Sequence, residues 1–285
     1  MPIRYRYFML LALCSVLMHG RLFGQGWQWA RNPNCGSVNG GSEGWLVKTD
    51  KGDNVIAAGY YYGGSICFGP FTFYNPVNSA NNIQTLIIKY DSTGSLLWAR
   101  AGKNGQSRPI GTAVDRWNNI YVFGLFTTDS ITFENNLLVN PGFDRLDPLT
   151  NNCYYLLKYN ERGDLLWARN GISNIHPDGD ALHPGGVTVD SDGNIYISTI
   201  FNLPTCIVGR DTLRNAGGTN GMNDFFIAKY DSAGAVLWAK GFGGIRDDYV
   251  SDIAFGDGNK LGITGYFHSG FINFGATRLF YSNEK

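Results

Sequence analysis

The sequence predicts an all-β chain assembled from one repeated antiparallel unit, and three observations carry that prediction. The phrase KYDSTGSLLWAR at 89–100 returns as KYNERGDLLWAR at 158–169 and as KYDSAGAVLWAK at 229–240. Trp-Ala pairs begin at Trp29, Trp98, Trp167 and Trp238, spaced by 69, 69 and 71 residues, a regularity that belongs to arrays of a single supersecondary unit. Runs such as NIYVFG and LIIKYD last only a few positions before Gly, Asp or Asn stops them, which suits strands and is too short for helices.

Arg4 and Arg6 precede an apolar run, Phe8 to Met18, that is too short to span a bilayer. Residues 1–24 are therefore expected to be a signal peptide, with Gln25 opening the mature chain at 25–285. Each unit then presents a first strand (near Thr112 to Asp115), a second (NIYVFG), a third (LLKY) and a fourth (LLWAR). Gly94, Gly163 and Gly234 stand in the turn before the fourth strand, where a tight hairpin demands positive φ. A further phrase recurs as SICFG at Ser65, SITFE at Ser130 and FINFG at Phe271, with the poorer match CIVGR at Cys206.

Repeated four-stranded antiparallel units are the signature of β-propeller blades, which bury their faces only against neighbouring blades. Trp98, Trp167 and Trp238, with Trp29 beginning the series, are then packing residues between blades. Truncating Trp167 to alanine is expected to cost roughly 3–5 kcal/mol. The units run about 27–98, 99–167 and 168–238, followed by a partial unit at 239–285 that holds only the first two strands. Trp27 to Arg31 is placed to supply an outer strand to that last unit. The expectation is three complete repeats plus a partial one, a fragment of a longer propeller.

Composition narrows the partners. Lys plus Arg and Asp plus Glu both number 23, so the basic footprint of a nucleic-acid binder is missing and such a partner is not expected. Nothing after residue 24 is apolar for long enough to span a membrane as a helix. Charged residues make up 16%, while 38 glycines and 14% aromatics fit many short strands joined by turns. After residue 24 the cysteines are Cys35, Cys67, Cys153 and Cys206, an even number that permits two disulfides in an exported chain, with three pairings left open.

The combination of DGNIY at 192–196, FINFG, DFFIAKYDSAG at Asp224 to Gly234 and LWAKGFGG at Leu237 to Gly244 resembles the SBBP β-propeller repeats of bacterial exported and cell-surface proteins. The resemblance covers most of the mature chain. It departs in the length of the units and at Thr199 and Val208, which break the pattern in the third repeat. It implies a scaffold and a location, and no defined reaction or cofactor.

Candidate sites lie outside the recurrent phrases. HPDGDALH brings His176, Asp178, Asp180 and His183 into eight residues, donors that suit zinc, although Pro177 and Gly179 fit a plain polar turn. DSDGN at Asp190 to Asn194 has the alternating oxygens of a calcium loop but lacks the later Glu, which favours a structural hairpin. Trp117, standing for the turn glycine in DRWNN, and Trp45, Tyr60, Tyr61 and Tyr62 are not dictated by the period and are candidates for stacking on a ligand. No G-x-S-x-G elbow occurs. The sequence therefore favours a secreted or surface module that binds a protein or a glycan without catalysis. The alternative is a secreted carbohydrate-active enzyme, which a cluster of carboxylates in the central pore would distinguish.

Overall fold

A computed structural model describes residues 28–33, 35–36, 40–77, 79, 81–143, 152–172, 185–218, 220–256 and 258–281. The chain divides into a unit at 1–31 and a unit at 32–285. In the first, residues 28–31 carry no strand, and the Arg31 guanidinium lies 5.9 Å from the half-buried Trp29 ring. The signal-peptide segment, Trp27 and the whole HPDGDALH cluster lie outside the described residues.

The second unit is all β, arranged as propeller blades. After β1 (Cys35–Gly36), the first blade is built from β2 (Gly41–Thr49) and β3 (Val55–Tyr62), a small hairpin of β4 (Ser65–Phe68) and β5 (Phe71–Tyr74), then β6 (Gln84–Tyr90) and β7 (Leu96–Lys103). The second repeats this with β8 (Ser107–Val114), β9 (Ile120–Phe126), β10 (Ser130–Phe133), β11 (Asn136–Val139), β12 (Cys153–Tyr159) and β13 (Leu165–Ile172). The third uses β14 (Gly185–Val189), β15 (Ile195–Phe201), β16 (Thr205–Val208), β17 (Asp211–Arg214), β18 (Asp224–Tyr230) and β19 (Val236–Phe242). The fourth consists of β20 (Asp248–Gly256), β21 (Lys260–Phe267) and the hairpin β22 (Phe271–Phe274) with β23 (Thr277–Phe280).

Within each complete blade four strands pair in chain order, β2-β3-β6-β7, β8-β9-β12-β13 and β14-β15-β18-β19, all antiparallel. The middle strands β9, β12 and β15 are buried at every residue, as expected of strands covered on both faces. The first strands β2, β8, β14 and β20 pack successively against one another on the inside.

The I-x-F-G phrase is the part that four-strand reasoning did not place. It forms the first strand of an extra hairpin in every blade, so each full blade holds six strands. Alternation decides its packing: Ile131 and Phe133 are buried while Thr132 between them is less so. The hairpin reaches back over the previous blade. β10 pairs with β7, and Phe274 of β22 stacks on Phe242 of β19 with centroids 5.0 Å apart. Val208, which breaks the sequence pattern, is still buried at the Phe position.

Successive blades are clamped at one repeated place. The turn at 160–163 receives hydrogen bonds from Lys89 Nζ and Trp98 Nε1, both on Glu161 O (3.2 and 3.1 Å), and from Arg100 Nε on Gly163 O (2.9 Å). The turn at 231–234 receives them from Lys158 Nζ and Trp167 Nε1 on Ser232 O (3.0 and 3.2 Å) and from Arg169 Nε on Gly234 O (3.1 Å). The turn glycines serve twice. Gly94, Gly163 and Gly234 have φ of 82, 82 and 81°, and a Cβ on Gly163 would lie 2.8 Å from the Trp98 ring.

Candidate functional site

The four inner strands bound a central channel of about 810 Å³, lined among others by Trp45, Lys48, Thr112, Thr188, Asp252 and Phe255. A β-bulge shapes its wall in three blades. The register shifts between Gly44 and Leu46, between Pro109 and Gly111, and between Val250 and Asp252, so Trp45, Ile110 and Ser251 are the extra residues. Each bulge needs a glycine opposite: a Cβ on Gly59, Gly124 or Gly265 would collide with the carbonyl oxygen of Glu43, Arg108 or Tyr249. Thr199 stands at this place in β15, where no such shift occurs and the partner is Gly185 with φ of 115°. The pattern break at Thr199 thus has a backbone cause.

Trp45 is held rather than loose. Its Nε1 donates to Glu43 Oε2 (3.1 Å), and its ring meets Tyr60 edge-on at 5.1 Å. Burial, then the hydrogen bond and charge of Glu43, push the Tyr60 phenol up to about 12. The same two donors, Tyr60 first and Trp45 second, hold the exposed Glu43 carboxyl below its usual range. The result is a rigid, half-exposed aromatic surface at the channel wall, of the kind that stacks on a flat apolar face.

The other aromatic candidates do not join it. Tyr61 points to the opposite side of β3 and is fully buried, its hydroxyl without a partner among the described residues. Tyr62 is half-buried beside Gly41. Trp117 is 51% exposed, with the Arg116 guanidinium 4.3 Å above it and Gly193 of the next blade beneath. It does not replace the turn glycine: Asn118 does, with φ of 63°, a conformation that Asn tolerates.

The DSDGN turn spends its oxygens locally. Asp190 Oδ1 accepts from the Asp192 and Asn194 N–H groups (3.0 and 2.8 Å), and Oδ2 accepts from Asn194 Nδ2 (2.8 Å) and pairs with Lys229 (3.4 Å). Asp50 does the same in the first blade, against Lys89. Cys67 is disulfide-bonded, and the backbone register places Cys35 opposite it across β1 and β4. Cys153 and Cys206 are buried thiols, and burial pushes both up to about 12.

A buried carboxyl cluster lies between the third and fourth blades. Asp224 is 1% exposed, Oδ2 accepts from the Ala216 N–H (2.7 Å), and Oδ1 has no partner among the described residues. Burial first, and then the charge of Asp248, raise it to about 7 against the pull of backbone N–H groups. The folded protein therefore holds this proton more tightly than the unfolded chain does. Its contribution is complete below pH of about 4 and lost as pH rises through about 7. Asp224→Asn is expected to raise the unfolding free energy by on the order of 2 kcal/mol at pH 8 and to give no gain at pH 4. Urea denaturation at the two pH values checks this.

No protein-family profile matches the chain. It is 24% identical over 266 residues to an uncharacterized WD repeat-containing protein, L264, of Acanthamoeba polyphaga mimivirus, covering 80% of this chain and 18% of that one. It is 29% identical over 110 residues to the regulatory protein FlaEY of Caulobacter vibrioides, covering 39% of this chain and 11% of that protein. The chain thus spans less than a fifth of the length of these curated relatives. Among solved structures, a protein of unknown function from Bacteroides caccae aligns over 78% of this chain and 72% of its own at 10% identity and a TM-score of 0.26. The calcium-binding protein regucalcin of Agrobacterium tumefaciens aligns over 79% and 82% at 11% identity and a TM-score of 0.22. Among the described residues, no helix is long and apolar enough to cross a membrane.

Proposed function

We propose that this β-propeller is an exported or cell-surface scaffold of the SBBP type, entering export through residues 1–24, and that it binds a protein or a glycan without transforming it. The observation that carries the reading is Trp45, set by a bulge into the wall of the central channel and fixed there by Glu43 and Tyr60. Around it the wall is apolar and hydroxylic, with Lys48 and Asp252 as its charged groups among the described residues. Such a mixture orients a ligand through stacking and a few polar contacts. Glycoside hydrolysis by the usual route needs two carboxyl groups flanking the bond.

The test is a glycan array and a set of chromogenic glycosides applied to the mature chain, together with the Trp45→Ala variant. Binding that falls at least tenfold in Trp45→Ala, with an unchanged melting temperature, supports the reading. Turnover of a glycoside that Asp252→Asn abolishes overturns it in favour of an enzyme.

A further inference from the structure

Each of the three complete blades has a seam between the second strand of its small hairpin and its own fourth strand, and only the first blade leaves that seam open. In the third blade the Asp211 carboxylate of β17 closes it, Oδ2 accepting the Ala239 N–H of β19 (2.7 Å). In the second, Asn170 of β13 reaches across and its Nδ2 donates to the Val139 carbonyl of β11 (2.6 Å). The first blade carries Phe71 at the place of Asp211 and Ala101 at the place of Asn170, so neither bridge can form. A cavity of about 370 Å³ remains between β5 and β7, lined among others by Phe71, Phe73, Ala99, Ala101 and Lys103 and by Glu134 of the second blade.

Tyr61 also lines the cavity, and it is the residue that sets this blade apart. Tyr61, Phe126 and Phe201 hold one place, opposite the first residue of the third strand in each blade. Phenylalanine therefore suffices for the packing, and Tyr61 adds a hydroxyl that is buried with no partner among the described residues, an arrangement that costs stability. Burial raises the phenol to about 12, so it stays protonated and can donate. A second donor is a backbone group. Ala99 stands opposite Ile88 as Ala239 stands opposite Ala228, so its N–H leaves the sheet edge in the direction that Ala239 shows, and Phe71 offers it no acceptor. Lys103 is exposed and forms no ion pair among the described residues, whereas Glu134 is already paired with Arg100 at 3.1 Å.

We infer that this cavity binds a small carboxylic acid with an apolar body: the carboxylate accepts from the Ala99 N–H and the Tyr61 hydroxyl, Lys103 supplies the opposite charge, and the body lies against Phe71 and Phe73. Asp211 displays the first of these contacts within the chain itself. An apolar wall with a few converging polar groups, at this volume, is the usual make-up of a small-molecule site. The site belongs to the hairpin and outer strand of one blade and is independent of any ligand in the central channel.

The probes are benzoate, phenylacetate, hydrocinnamate and isovalerate, with the corresponding amides as controls. Titration followed by nuclear magnetic resonance is expected to shift the Ala99 amide with at least one acid and with none of the amides. Tyr61→Phe installs the residue that the other two blades carry. It is expected to keep the melting temperature and to weaken that acid about tenfold, the worth of one hydrogen bond to a charged group. Lys103→Ala, at an exposed residue, is expected to weaken it as well. Phe71→Asp copies the third blade and is expected to abolish binding, because a carboxylate of the chain then takes the Ala99 N–H. Trp45→Ala is expected to change nothing, which separates this site from the channel. An Ala99 amide that no acid shifts, undiminished affinity in Tyr61→Phe, or amides that bind as well as acids would each overturn the inference. So would a lower melting temperature in Tyr61→Phe, since the hydroxyl would then serve the fold.

Discussion

Replacing Lys89 with alanine is expected to lower the unfolding free energy by about 3–5 kcal/mol, since it strips the partner from a carboxylate inside the protein. Lys89 Nζ lies 2.7 Å from Asp50 Oδ2, with the two side chains 2% and 1% exposed. Burial by itself pushes the Asp50 carboxyl up. The Lys89 ammonium, the Asn54 amide and the Gly52 and Asn54 N–H groups outweigh it and hold the group below its usual range. The stability tied to Asp50 is therefore complete above the ordinary carboxylate value of about 4 and lost only as pH falls through the depressed folded value. Guanidinium denaturation checks both parts: Lys89→Ala should reduce stability at pH 7 and flatten its decline in acid. A double Asp50→Asn, Lys89→Met variant should recover much of the loss, because no buried charge is then left alone.

Trp98→Ala is expected to cost about as much, roughly 3–5 kcal/mol, through a cavity between the first two blades and the loss of one inter-blade hydrogen bond. Trp98 is 4% exposed, stacks on Tyr159 of the next blade at 6.1 Å and donates to Glu161 O. Trp167 makes the equivalent hydrogen bond but is half-buried, so its alanine variant is expected to lose less than the 3–5 kcal/mol that periodicity alone implies. Thermal denaturation of the two variants side by side tests the ranking. Equal losses would mean that the indole hydrogen bond outweighs the area it covers.

What recurs in the sequence was legible, and what recurs only in the backbone was not. The K-Y and L-W-A-R phrases mark the third and fourth strands because one lysine, one indole and one guanidinium meet the next turn in the first two blades. The β4–β5 type of hairpin escaped because its second strands, FTFY, NLLV, DTLR and TRLF, share no chemistry. The bulge that presents Trp45 escaped for a similar reason, since Trp45, Ile110 and Ser251 have nothing in common as side chains. Its signal was on the neighbouring strand, in the column Gly59, Gly124 and Gly265. Trp117 was misplaced by one position because an asparagine, and not a glycine, adopts the left-handed conformation in that turn.

The hairpins that reach back over the preceding blade give the array a direction. Because β10 adds to β7, the first blade gains its outermost strands only when residues about thirty positions further along the chain have folded. Each blade is thus completed by its successor and never by its predecessor, like tiles laid from one eave. Domains emerge from the ribosome N-terminal end first, so synthesis lays the tiles in the order in which they overlap. Unfolding has the opposite preference: a blade loses its outer strands when its successor opens, so fraying runs backwards along the array, each step uncovering one more outer strand.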